Sequence, residues 1–231
     1  MQQEPKRRTR RTKTKFDENK SRIDLTPRNE NQAKYIEALS KADQVIVFGP
    51  AGTGKTYVVS TFAANAYHMK EVNKVVITRP HIPVGKDIGF LPGTLEEKSA
   101  PWALPVLDVL ERHLGKGVVE TALKNGNIEV APLALMRGRS FDDTFVICDE
   151  AQNITLPELK MLVTRIGEGS TLVLNGDIQQ SDLKEGDGLS KIIHLTKKHM
   201  LPIPIIEFTL DDIVRSDICK LWITTFTKEG L

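Results

Sequence analysis

The sequence predicts an α/β fold with a mostly parallel central sheet flanked by helices on both faces. Short, near-continuously apolar runs alternate with longer helix-like runs, the pattern of strands buried on both sides. A phosphate-loop pattern falls at one strand-to-helix junction, where that motif belongs. The 231 residues, 40% apolar and 27% charged, are enough to build such a core.

The elements read in order as follows. Thr26 caps and Pro27 opens a first helix to about Ser40, with Ala33, Tyr35, Ile36 and Leu39 on its apolar stripe. Val45–Phe48 is a strand, Thr56–Met69 a helix and Lys74–Arg79 a strand. Prolines and Gly85, Gly89 and Gly93 punctuate residues 80–93, a loop long enough to suggest function. Thr94 and Glu97 form a capping box before a helical region that reaches Leu114, interrupted at Pro101 and Pro105. A short helix, Val118–Lys124, precedes a strand at Ile128–Val130. The apolar strand Thr144–Cys148 ends in Asp149, and a second capping box, Thr155 with Glu158, starts a helix to Ile166. Thr171–Leu174 is strand, Gly188–Lys198 helix, Pro204–Phe208 strand and Asp211 to about Phe226 helix. There is no internal repeat.

Charge is unevenly spread. Residues 1–22 hold nine Lys/Arg against three acids and, after Met1, one apolar side chain, Phe16, so they are expected to form a disordered basic arm able to neutralise phosphates. A solubilising tail with no specific partner is the plainer reading of the same residues. Residues 23–231 carry a net charge of −4 and are expected to form one nucleotide-binding domain. Cys148 and Cys219 suit neither a disulfide framework nor a zinc site. No apolar run approaches the roughly 18–20 residues of a spanning helix, so the expectation is no membrane partner and a soluble, cytoplasmic protein.

Gly49-Pro50-Ala51-Gly52-Thr53-Gly54-Lys55-Thr56 matches G-x-x-x-x-G-K-[ST]. Glycines let backbone N–H groups turn toward phosphates, the helix N-terminus adds positive potential, and Lys55 brings charge to the β- and γ-phosphates. Thr56 is expected to hold Mg²⁺ through its hydroxyl. Asp149, at the carboxyl end of an apolar strand, is the natural second magnesium partner, and Glu150 is placed to deprotonate water aimed at the γ-phosphate. ATP with Mg²⁺ is therefore the expected cofactor pair. Gln152 follows closely. Asn175-Gly176-Asp177-Ile178-Gln179-Gln180 ends the next strand, where Gln179 or Gln180 can sense the γ-phosphate or position water, and where ordinary turn chemistry competes.

From about Thr26 to Leu221 the chain resembles the PhoH family, phosphate-starvation-inducible ATPases related to superfamily 1 helicase cores. Beyond the phosphate loop, the resemblance lies in Arg79-Pro80, Gly89-Phe90-Leu91-Pro92-Gly93 with Lys98 and Pro101, Met136-Arg137-Gly138-Arg139, Cys148-Asp149-Glu150-Ala151-Gln152-Asn153, Gly176-Asp177-Ile178-Gln179-Gln180 and Asp212-Ile213-Val214-Arg215. Ser181 departs from it, where many relatives carry an apolar residue. The resemblance implies a three-layer RecA-like P-loop NTPase, ATP with Mg²⁺, a link to single-stranded RNA or DNA, and a homo-hexamer.

Arg215 carries a further expectation. One phosphate loop leaves room for one lobe, so a second wall over ATP has to come from elsewhere, and an arginine finger supplied in trans by a neighbouring subunit would provide it. That implies a ring with ATP at each subunit interface. A helix-surface ion pair with Asp211 or Asp212 is the competing reading of Arg215. Arg79, His81, Lys86, Phe90, Arg137 and Arg139 are candidate nucleic-acid contacts, with the γ-phosphate or an adjacent subunit as alternatives for Arg137 and Arg139. Trp102 and Trp222 read as core or interface anchors. The expected function is a magnesium-dependent ATPase coupled to single-stranded nucleic acid. A nucleotide-switched nucleic-acid-binding module and a P-loop small-molecule kinase are the alternatives.

Overall fold

The computed structural model describes residues 21–80, 95–181, 183 and 188–229, with side chains in the third helix described from residue 101 onward. Most of the basic arm, the 81–93 loop with His81, Lys86 and Phe90, and the Thr94 capping box lie outside the described residues.

Six strands form one sheet: β1 (Gln44–Phe48), β2 (Lys74–Thr78), β3 (Ile128–Val130), β4 (Thr144–Cys148), β5 (Thr171–Gly176) and β6 (Ile205–Glu207). Their order is β3-β2-β4-β5-β1-β6 and every pairing is parallel. Alternation along the strands separates two apolar layers. Val45, Val47, Val75, Ile77, Phe145, Ile147 and Val173 pack on one side with α1 (Glu30–Lys41), α2 (Lys55–His68), α3 (Leu95–Leu114) and α4 (Lys116–Lys124). Ile46, Phe48, Val76, Val146, Cys148, Leu172 and Leu174 pack on the other with α5 (Leu156–Val163) and α6 (Gly188–Lys198). The result is a three-layer α/β architecture, a parallel sheet between two helical layers.

Several boundaries differ from the sequence expectation, each for a physical reason. The first helix begins at Glu30, because Asn29 is its N-cap: its side chain accepts from the Gln32 N–H and its amide donates to the Asp212 carbonyl at 3.1 Å. The Thr26 hydroxyl instead bonds Asp24. Pro101 and Pro105 do not interrupt α3. Each interior proline costs about 3 kcal/mol, but Ala103, Val106 and Leu110 are fully buried on that helix, and a buried Val or Leu contributes about 1.5–3 kcal/mol. Trp102 packs, partly buried, against the same core. The capping box of α5 forms as expected, yet the helix stops at Val163 because the Arg165 carbonyl accepts from Phe141 N–H at 2.9 Å.

The C-terminal region is not one helix. A single 3-10 turn, Leu210–Asp212, is followed by extended Ile213, a bend at Arg215 and then α7 (Asp217–Glu229). Val214 N–H donates to the Gly52 carbonyl at 3.0 Å, which draws the chain out of helical geometry and onto the phosphate loop. At the other end of the described chain, Arg22 pairs with Glu71, and Asn65 bonds both the N–H and the carbonyl of Ile23. No helix among the described residues is long and apolar enough to cross a membrane.

Candidate active site

The strand order places the chemistry. Because β5 lies between β4 and β1, the carboxyl ends of three adjacent strands present Asp149, Asn175 and the phosphate loop side by side. Cys148 is in register with Leu174, and Phe48 with Gly176.

The loop from Gly49 to Thr56 leaves β1 and enters α2 at Lys55. Gly49, at φ +139°, has no room for a side chain: a Cβ would lie 2.2 Å from the Phe208 carbonyl oxygen. Thr53 turns inward, its hydroxyl donating to the Pro50 carbonyl, and its own carbonyl accepts from buried Gln32 at 2.9 Å. Lys55 is also buried, with Nζ donating to the carbonyls of Gly49 at 2.7 Å and Pro50 at 2.8 Å. Burial pulls its ammonium pKa down while the charges of Asp177, Asp149 and Glu150 pull it up, and burial prevails.

Thr56 and Asp149 converge on one nitrogen. Asn175 Nδ2 donates to Asp149 Oδ1 at 2.7 Å and to Thr56 Oγ1 at 3.1 Å. The Asp149 carboxyl is crowded on most sides but keeps a partly open mouth. Crowding and then the neighbouring Glu150 charge raise it to about 6, against the Glu150 backbone N–H, Arg79 and Lys55, which lower it. Glu150 has φ +52°, a left-handed turn that directs it away from the strand line. Its carboxylate accepts from Gln152 Nε2 at 2.6 Å, and Gln152 Oε1 in turn accepts the Asp177 N–H at 3.0 Å. Asp177 is buried and raised by that burial, and it caps the turn Ile178–Gln180 through the Gln179 N–H. The Gln179 side chain is exposed at this edge.

This donor set fits magnesium. It combines the Asp149 carboxylate, the Thr56 hydroxyl beside it and a buried Asn175 Oδ1 with no hydrogen-bond partner. Magnesium takes oxygen ligands from one or two protein groups, phosphates and waters. No cluster of three or more His, Cys, Asp or Glu able to hold a metal occurs among the described residues.

Arg215 lies at a bend between the Leu210–Asp212 turn and α7, not on a helix, which removes the helical pairing with Asp211 or Asp212. Its stem covers the chain's own loop: a Cβ on Gly52, where φ is +81°, would meet Arg215 Cγ at 2.9 Å. Arg139 is engaged elsewhere, gripping Glu129 through two bonds of 2.5 and 2.7 Å and lying over the Phe141 ring. Sequence reasoning missed Gln32 behind the loop, Asn175 between the carboxylate and the hydroxyl, and Gln152 as the holder of Glu150. The signals were the place of Gln32 three residues after Asn29, of Gln152 two residues after Glu150 and of Asn175 at the end of an apolar strand.

The sequence model described as PhoH-like protein matches residues 24–227. The chain belongs to the PhoH family. It is 41% identical to Protein PhoH of Escherichia coli (strain K12) over 200 residues, 85% of this chain and 56% of that protein. It is also 41% identical to a PhoH-like protein of Bacillus subtilis (strain 168) over 205 residues, 86% of this chain and 63% of that one. A PhoH-like protein of Mycobacterium tuberculosis (strain ATCC 25618 / H37Rv) is again 41% identical, over 83% of this chain and 54% of its own length. This PhoH-family chain thus spans between about half and two thirds of the curated relatives it matches.

Proposed function

We propose that the chain is a magnesium-dependent ATPase that hydrolyses ATP to ADP and phosphate. The observation that carries the reading is the convergence of Thr56 and Asp149 on Asn175, at the mouth of the phosphate loop, with Glu150 next in the chain. Backbone N–H groups of residues 51–56 bind the triphosphate, and its oxygens compete with the Gly49 and Pro50 carbonyls for the Lys55 ammonium. Thr56 and Asp149 hold magnesium, which when bound neutralises charge on the phosphate oxygens. Glu150, fixed by Gln152, takes the proton from the attacking water. The stem of Arg215 packs against Gly52 of its own loop, and we assign the residue to the nucleotide bound on its own chain. Gln179, exposed at the same edge, senses the γ-phosphate.

The reading extends to assembly and partners. Ile218, Leu221, Trp222 and Phe226 are exposed on α7, with Trp222 stacked on Phe226 at 5.5 Å. An apolar surface of this kind supports association of copies, and the proposed assembly is a homo-hexameric ring with ATP near subunit interfaces. The basic residues 1–22 support attraction to single-stranded RNA or DNA. A reducing, cytoplasmic setting suits the free thiols Cys148 and Cys219.

Phosphate release without added acceptor tests hydrolysis; transfer only to an added small molecule would replace it with a kinase. The same assay with and without single-stranded RNA and DNA at two salt concentrations, on the full chain and on a version lacking residues 1–22, tests the nucleic-acid link. Stimulation that is lost in the shortened version assigns the contact to the arm, and no stimulation of either version overturns the coupling.

A further inference from the structure

Asn175 sits where β5 separates the carboxylate strand β4 from the phosphate-loop strand β1. It pairs in register with Val47 and is 1% exposed. Turn chemistry does not explain it, because its side chain bonds neither a neighbouring N–H nor its own turn. Its Nδ2 reaches Asp149 Oδ1, just past the neighbouring strand β4, at 2.7 Å and Thr56 Oγ1, on α2, at 3.1 Å. Asp149 is thereby held facing Thr56 by a neutral donor.

The other half of the amide is the unusual half. Asn175 Oδ1 is buried without a hydrogen-bond partner, a rare state for a polar atom in a folded chain. An acceptor beside a hydroxyl and a carboxylate calls for a group that only donates, and water polarised by a divalent cation is such a group. We infer that Asn175 is a positioning residue of the magnesium site: its nitrogen sets Asp149 and Thr56 for the ion, and its oxygen accepts from water in the ion's shell. This inference rests on the ATPase reading of the same pocket and adds to it a residue whose role is specific to the metal. Groups that orient metal ligands from behind typically change metal affinity by about 10–100-fold when removed.

The test separates metal from nucleotide. Affinity for a fluorescent ATP analogue is measured on the full chain in EDTA and across a magnesium titration, for wild type, Asn175→Leu and Asn175→Ser. Both variants are expected to bind the analogue in EDTA as wild type does, which also verifies that the loop is folded. Their half-saturating magnesium concentration should rise by about tenfold or more. Binding of Mn²⁺ in the presence of the analogue, read by electron paramagnetic resonance, should weaken in parallel. If magnesium tightens nucleotide in wild type and in both variants alike, Asn175 has no metal role and the inference is overturned alone. If magnesium does not tighten nucleotide even in wild type, the magnesium reading itself fails and takes this inference with it. Loss of binding in EDTA by both variants would mark Asn175 as structural support for the loop and also overturn the inference.

Discussion

Gln152 Nε2 donates to the Glu150 carboxylate at 2.6 Å, while the same side chain accepts the Asp177 N–H through Oε1. One buried amide therefore ties the proposed base to the end of the next strand. Gln152→Ala should lower turnover by roughly 10–100-fold, a fraction of the 10²–10⁴ that a general base contributes. Its affinity for ATP should stay within about threefold, because Gln152 does not touch the loop. Steady-state phosphate release combined with equilibrium nucleotide binding checks the split; a loss confined to affinity would contradict it.

Arg215 overlies Gly52 of its own chain, so its action is expected within one subunit. Arg215→Ala and Lys55→Ala chains, each inactive alone, should remain inactive when mixed and co-assembled. Recovery of phosphate release in the mixture would show that the arginine serves a neighbour's nucleotide.

Gly49 faces the Phe208 carbonyl at a φ no L side chain favours. Gly49→Ala should destabilise the fold by more than about 3 kcal/mol. For a chain of this size that corresponds to a fall of roughly 6–12 °C in Tm, measurable by circular dichroism. An unchanged Tm would show that the loop moves away from β6 at little cost.

Glu129 lies between Arg139 and Lys74. Its hydrogen bond with Arg139, opposed by partial burial and reinforced by Lys74, lowers the carboxyl to about 2. A depressed carboxyl stabilises the fold above its unfolded value of about 4.5, and the contribution is lost as pH falls from there through 2. With partial exposure taken into account, Glu129→Gln should cost about 1–3 kcal/mol at pH 7. Urea midpoints compared at pH 7 and pH 3 should show the difference between the two proteins narrowing in acid. A constant difference would mean that the ion pair is not its source.

The legible parts of the fold and site were the local ones. Residues 49–56 sit between β1 and α2, and Asp149 and Glu150 follow β4, because strand ends and loop glycines are set by neighbours in sequence. The capping box of Thr155 and Glu158 was readable for the same reason. The start of α1 was not, since Asn29 outcompetes Thr26 partly through a bond to Asp212. The break before α7 depends on Gly52, and the role of Asn175 depends on β5 entering between β4 and β1. Strand order is a property of tertiary packing, and a single sequence displays the strands without their neighbours.

The central claim is that this pocket cleaves ATP with Glu150 as base. The most direct measurement is release of free phosphate from magnesium-ATP by wild type and Glu150→Gln, with bound nucleotide quantified in parallel. Wild type should turn over, and the variant should retain ATP while slowing by about 10²–10⁴-fold. Equal turnover by the two proteins, or no release by wild type saturated with magnesium-ATP and single-stranded nucleic acid, would contradict the account.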